Sequence, residues 1–184
     1  MKIKDIFGFH SAFYYFGYNH LCINMNNYIN SGLKGGEFVI LLIGDNLYNY
    51  IKNGTNINDK NSMCIQNFNK IVDLYKSLGR DGIQRILNQY QCKAIKSGYS
   101  GLRFIIDVSN FISMTSKNDF LDVDFSITSI IANSKSSVIC AYDFEDYVNR
   151  KKFIDDEIIE KSYQMHPYRL YMGKVVPLAQ LCTV

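Results

Sequence analysis

Three apolar runs in this chain each end on an aspartate: "FVILLIGD" at residues 38–45, "LRFIID" at 102–107 and "VICAYD" at 138–143. Each run is short, without alternation and rich in aliphatic residues, the form taken by strands buried on both faces of a parallel sheet. In that setting Asp45, Asp107 and Asp143 reach the carboxyl edge of the sheet, where ligands of open α/β folds sit. Three acids converging there could hold Mg²⁺, which takes one or two carboxylates together with water and phosphate oxygens. Each could equally cap the helix or turn that follows its strand.

A strand that closes on Asp has the form of a Walker B segment, so nucleotide chemistry has to be tested against the phosphate loop. That loop needs G-x-x-x-x-G-K-[ST], because its glycine amides cradle phosphate and its Lys reaches the terminal phosphates. No such run occurs: the pair Gly173-Lys174 is followed by Val175, and "GLKGGE" at residues 32–37 precedes a strand. ATP hydrolysis is not expected, although the fold is allowed to be related to one that performs it. A G-x-S-x-G nucleophile elbow is also missing, and "GYSGL" at residues 98–102 precedes its strand instead of following it. The histidines are His10, His20 and His166, with no H-x-x-x-H spacing and only Cys22 close to one of them. Neither a zinc site nor a cofactor is expected from that spacing. His10 and His166 are candidates for ligand sensing or proton handling, against structural roles such as a helix-end dipole partner. The aromatic cluster Phe7, Phe9, Phe13, Tyr14, Tyr15, Phe16 and Tyr18 either lines an apolar pocket, with Tyr14 and Tyr15 bringing hydroxyls to it, or packs as core.

The elements that must position these residues alternate along the chain. A first strand is expected around "GFHSAFYYF". "NHLCINMNNYINSGL" has Leu21, Met25, Tyr28 and Ile29 at helical spacing, with Gly32 and the "KGG" turn as its stop. "NKIVDLYKSL" and "DGIQRILNQYQCKAIKSG" repeat the period, with a stripe of Ile83, Ile86, Leu87 and Tyr90 and Gly98 as C-cap. "NDFLDVDFSITSIIANSKSS" offers Asn118 or Asp119 as N-cap and Leu121, Phe125 and Ile130 as its apolar face. "DYVNRKKFIDDEIIEKSYQMHP" reads as a helix stopped near His166 by Pro167, and "YRLYMGKVVPL" as one or two strands with a Gly turn. The Asn-rich "KNGTNINDKNSMCIQ" reads as a surface excursion. This order predicts an α/β three-layer sandwich with a mostly parallel central sheet, formed by one domain over residues 1–184.

Composition excludes several classes. The formal charge of +3 is spread along the chain, with no basic stripe or arm of the kind that binds DNA or RNA. No apolar run approaches the ~18 residues of a membrane span. The five cysteines, Cys22, Cys64, Cys92, Cys140 and Cys182, are odd in number and widely separated, and the N-terminus lacks the apolar core of a signal peptide. A soluble cytoplasmic protein with reduced thiols is expected.

Five segments resemble, in order, the MEDS domain of DcmR-type sensory proteins: "FHSAFYYF", "YINSGLKGGEFVILLI", "AIKSGYSGLRFIIDVSNF", "FLDVDFSITSIIANSKSSVICAYD" and "MHPYRL". The resemblance implies a RecA/KaiC-like core with a degenerate phosphate loop, used to sense small molecules such as hydrocarbon derivatives. It carries signature polar positions onto His10, Glu37, Arg103, Asp107, Asp124, Tyr142, Asp143 and His166, with Asp107 and Asp124 standing where longer Glu side chains are expected. Independently of the resemblance, Arg103 inside an apolar strand needs a carboxylate, and Asp124 or Asp143 is the expected partner. With no room for an output module, the chain is expected to signal through a partner protein or a second copy of itself, with an amphipathic helix over residues 153–163 as the contact surface. The leading expectation is a sensory or regulatory domain binding a small organic ligand at the sheet edge, with no direct nucleic-acid or membrane contact. The alternatives are a degenerate nucleotide- or Mg²⁺-dependent enzyme built on Asp45, Asp107 and Asp143, and a pure interaction module.

Overall fold

The computed structural model describes residues 6–181. In chain order the elements are β1 (His10–Tyr15), α1 (Gly17–Lys34), β2 (Glu37–Leu42), α2 (Asp45–Gly54), β3 (Ser62–Cys64), α3 (Asn69–Leu78), α4 (Arg80–Lys96), β4 (Gly101–Asp107), α5 (Val108–Met114), α6 (Lys117–Ile131), β5 (Ser136–Asp143), α7 (Phe144–Asn149), α8 (Asp156–Met165), β6 (Tyr168–Tyr171), β7 (Lys174–Pro177) and α9 (Leu178–Leu181). The strands form a seven-stranded sheet in the order β3-β2-β4-β5-β1-β6-β7. All its pairings are parallel except β6 with β7.

The unbroken apolar runs are strands because both faces of the sheet are covered. Ile40, Phe104, Val138 and Cys140 point toward α3, α4, α5, α6 and α8, and pack on Val72, Ile83, Phe111, Ile127 and Ile158. Val39, Leu41, Ile105 and Ile139 point the other way, onto Leu21, Met25, Ile29, Leu47 and Ile51 of α1 and α2. Each such aliphatic side chain contributes about 1.5–3 kcal/mol through burial, so neither face tolerates polar substitution. No helix of the described residues is long and apolar enough to cross a membrane.

Several element boundaries differ from the sequence expectations, each for a local reason. α1 runs through Gly32 to Lys34 and is capped by Gly35. Gly32 is there for room: a Cβ on it would come within 2.6 Å of the Arg103 Nε. The N-cap of α6 is Ser116, whose hydroxyl oxygen accepts from the Asp119 N–H, and Phe125 is 73% exposed while Asp124 is fully buried. α4 ends with Ser97 as its C-cap, one residue before Gly98. The long C-terminal helix is two helices, because the Asp146 carboxylate turns back to accept from the N–H groups of Lys152, Phe153 and Ile154. The surface expected over residues 153–163 is correspondingly shorter: α8 starts at Asp156, with Ile158 and Ser162 buried. The Asn-rich excursion contains β3, which pairs with β2, and side chains of Asn58 and Asn61 close the turn before it. The C-terminal hairpin forms as expected, turning through Met172 and Gly173, both at positive φ. Cys22, Cys64, Cys92 and Cys140 are free thiols, whereas Cys182 lies outside the described residues.

Candidate functional site

β1 and β5 lie side by side with Ala12 opposite Cys140, so His10 and Cys140 project from the same face, toward α6. α6 lays Asp124 and Thr128 over them, and the corner between α8 and β6 adds His166. The four side chains His10, Asp124, Cys140 and His166 are buried, and one ligand-type atom of each lies within 4.8 Å of the others. Asp124 Oδ1 is the hub, at 3.2 Å from His10 Nε2, 3.6 Å from His166 Nε2 and 3.3 Å from Cys140 Sγ. Cys140 Sγ is 3.5 Å from His10 Nε2.

The outer ring nitrogens fix the tautomers. Thr128 donates its hydroxyl hydrogen to the Met165 carbonyl, so its oxygen accepts from His10 Nδ1 at 2.8 Å. His166 Nδ1 faces the Ser162 carbonyl at 2.9 Å and must donate to it. Both rings therefore turn Nε2 inward, toward an acceptor-only carboxylate. Three polar atoms of this buried layer have no hydrogen-bond partner: Asp124 Oδ2, His166 Nε2 and the Tyr142 hydroxyl. Burial, then the neighbouring His10, pushes His166 down to about 3, so its ring is neutral near pH 7. Burial disfavours the Asp124 carboxylate, but the imidazoles beside it outweigh that and hold it below the ordinary range. Burial first, and Asp124 second, push the Cys140 thiol well up.

Next to this cluster, at the carboxyl end of β1 and β6, is a cavity of about 480 Å³ lined by Phe13, Tyr14, Asn24, Tyr163, Arg169 and Tyr171 among others. Arg169 is only 4% exposed, and its guanidinium lies over the rings of Tyr14 and Tyr163. Nη1 donates to the carbonyls of His166 and Tyr168, Nη2 has no partner, and no carboxylate of the described residues pairs with it. Tyr14 donates to Ser162 Oγ, which itself donates to the Ile159 carbonyl. Ser162 and His166 thus stand behind the cavity wall, bonded to its Tyr14 and Arg169 and, through the Ser162 carbonyl and the His166 ring, to the histidine cluster.

The three strand-end aspartates do reach the carboxyl edge, where two of them serve as helix caps. Asp107 accepts from the Asn110 N–H, and Asp143 accepts from the N–H groups of Glu145 and Asp146. Asp45 sits in the first turn of α2 and accepts from Gln66; it shares a cavity of about 420 Å³ with Asp107, but not with Asp143. Arg103 is far from this edge. Its partner is Glu37, which accepts from Nε at 2.8 Å and from Nη2 at 2.6 Å, rather than Asp124 or Asp143. β2 and β4 are neighbours, and both residues face α1, whereas Asp124 lies across the sheet and Asp143 at its other end. Tyr28 stacks on the guanidinium and its carbonyl accepts from Nη1, so Arg103 is a satisfied structural cation.

The family model described as MEDS, the MEthanogen/methylotroph, DcmR Sensory domain, matches residues 9–167. The chain belongs to the MEDS family. The matched span opens beside His10 and closes beside His166, taking in the whole cluster. No curated protein matches the chain. Of the residues expected to act together, this MEDS domain gathers His10, Asp124, Tyr142 and His166 in one buried layer, with Tyr14 on the adjoining cavity wall. It leaves Arg103 on the opposite face and Asp45, Asp107 and Asp143 along the edge. Sequence reasoning missed Cys140 and Arg169. The alternation of "VICAYD" puts Cys140 on the face of Tyr142, and an Arg two residues after "HP" in a strand-like run raises the same pairing question as Arg103.

Proposed function

We propose that this MEDS domain is a regulatory sensor for a small organic molecule with an anionic head and a short apolar or aromatic body, bound in the cavity between β1, β6 and α8. The observation that carries the reading is Arg169, a buried guanidinium with no carboxylate among the described residues and an unpartnered Nη2, on the wall of an aromatic-lined cavity. A cation in that position is costly to bury unless an anion completes it. Tyr14 and Tyr163 supply flat apolar walls, and their rings already brace the guanidinium. α8 carries Tyr163 at the cavity and Ser162 at the histidine cluster, so occupancy that moves α8 reaches the protein surface, where a partner protein or a second copy of the chain reads it. β1 enters α1 through Phe16 alone, which leaves no length there for a phosphate loop and favours a sensor over the nucleotide enzyme. The RecA/KaiC-like relationship belongs to the same proposal.

The test is a thermal-shift and calorimetric screen of matched pairs, each a small carboxylate and the alcohol of the same chain length, with Mg-ATP as a further arm. The expected result is stabilisation by at least one carboxylate over its alcohol, growing as the logarithm of its concentration, and abolished in Arg169→Gln. Stabilisation by Mg-ATP alone returns the enzyme reading, and no response to any compound favours an interaction module.

A further inference from the structure

We propose that His10, Asp124, Cys140 and His166 form a closed, four-ligand site for a divalent transition cation of the zinc class. Tetrahedral ions bound by N, O and S at about 2.0–2.3 Å hold their donor atoms about 3.3–3.8 Å apart. The four separations centred on Asp124 Oδ1 and His10 Nε2 are 3.2, 3.3, 3.5 and 3.6 Å, and all donors lie within 4.8 Å of one another. The donor set is already collapsed to the size of a coordination sphere. Its chemistry, two imidazoles with one thiol and one carboxylate, is the mixed set a borderline-soft dication takes.

The bland alternative is a hydrogen-bonded polar core. It leaves too much unmade. His166 Nδ1 is committed to the Ser162 carbonyl, so Nε2 turns toward a carboxylate oxygen 3.6 Å away without a hydrogen bond between them. Asp124 Oδ2 is a second orphan in the same buried cluster. Buried polar atoms without partners are rare enough to need a cause, and for His166 Nε2 a cation at the centre supplies one. The outer shell is also in place: His10 Nδ1 donates to Thr128, which passes the bond to the Met165 carbonyl, and His166 Nδ1 donates to Ser162. Acceptors that hold Nδ1 in this way orient ligating imidazoles and keep Nε2 free for the metal. Charge closes as well. When the ion enters, the Cys140 proton leaves to solvent, and one thiolate and one carboxylate neutralise the dication, so the buried centre carries no net charge. With four protein ligands and no exposure, the site is structural: it ties β1, α6, β5 and the α8–β6 corner together. It does not depend on the organic-ligand cavity, and either can fail alone.

The test begins with the metal content of the full chain purified without chelator, followed by Co²⁺ titration of the chelator-treated protein. One equivalent of Co²⁺ is expected to give intense tetrahedral visible bands and a thiolate-to-cobalt charge-transfer band. Cys140→Ser loses the charge-transfer band, whereas the joint replacement of Cys22, Cys64, Cys92 and Cys182 by Ser keeps it. Thr128→Val, which removes an orienting acceptor, weakens Co²⁺ binding by about 10- to 100-fold. Zn²⁺ raises the melting temperature of the parent and a chelator lowers it. No metal on the purified chain together with no cobalt bands, or a charge-transfer band that survives in Cys140→Ser, overturns the site. Should Cys140→Ser fail to fold, X-ray absorption of the zinc-loaded parent decides: two nitrogens, one oxygen and one sulfur support the site, and an all-oxygen or sulfur-free shell sinks it.

Discussion

Asp107 shows how a single side chain can set a pH dependence. Burial pushes it up to about 6, the Asn110 N–H offsets part of that, and the nearby Asp143 charge adds to the rise. A carboxyl whose pKa is raised on folding stabilises the native state below the unfolded value and loses that contribution as pH climbs through the folded one. The window here runs from about pH 4 to about pH 6, which corresponds to about 3 kcal/mol. Asp107→Asn keeps an oxygen to cap α5 and has no charge to bury. Its stability relative to the parent is expected to rise by up to about 3 kcal/mol between pH 4 and pH 6 in urea titrations; parallel curves across that range would refute the assignment. At this scale the sequence was partly legible. A strand that stops on Asp puts that Asp at the carboxyl edge, because strand direction alone decides it. The partner of Arg103 was not legible, since Glu37 becomes its neighbour only through the pairing of β2 with β4, which no local pattern encodes. Cys140 was hidden for the same reason: its ligand-type neighbours come from positions 10, 124 and 166.

Elements were legible wherever periodicity was strong and unclear wherever side chains overrule it. The strands β2, β4 and β5 announced themselves as apolar runs, and α1 and α4 as 3.6-residue stripes. The break between α7 and α8 has no glycine or proline to mark it, because one carboxylate makes it. Asp146 is itself buried, yet backbone donors from Ile154, Phe153 and Lys152 hold its pKa below the ordinary range against that burial. Asp146→Ala leaves those N–H groups without an acceptor, a loss of about 1–3 kcal/mol on denaturation. The readout that isolates the element is limited trypsin digestion, with new cleavage after Lys151 or Lys152 expected in the variant under native conditions. An unchanged digestion pattern would mean that the α7–α8 connection is held by something else.

Across the whole molecule the α/β class and the parallel sheet followed from element order, while the strand order did not, because crossovers depend on which faces the helices cover. That order has a kinetic consequence. β1 precedes β2, β4 and β5 in the chain, yet among the described residues it pairs with β5 and β6, with His10 opposite Val138 and Ser11 opposite Tyr168. Closing loops of that length is entropically costly before any contact rewards it, and topologies rich in such pairings fold slowly. The expected folding order therefore has β1 joining the sheet after β2, β4 and β5 have paired. Phe13→Leu in β1 is expected to speed unfolding and leave the refolding rate unchanged, whereas Ile105→Val in β4 slows refolding, as read from the two arms of a chevron plot. Equal slowing of refolding by both would place β1 in the nucleus. On a ribosome the same order means that β1 emerges well before the strands it pairs with, and a chain that stalls before β5 presents "HSAFYY" to whatever chaperone or neighbouring chain reaches it first.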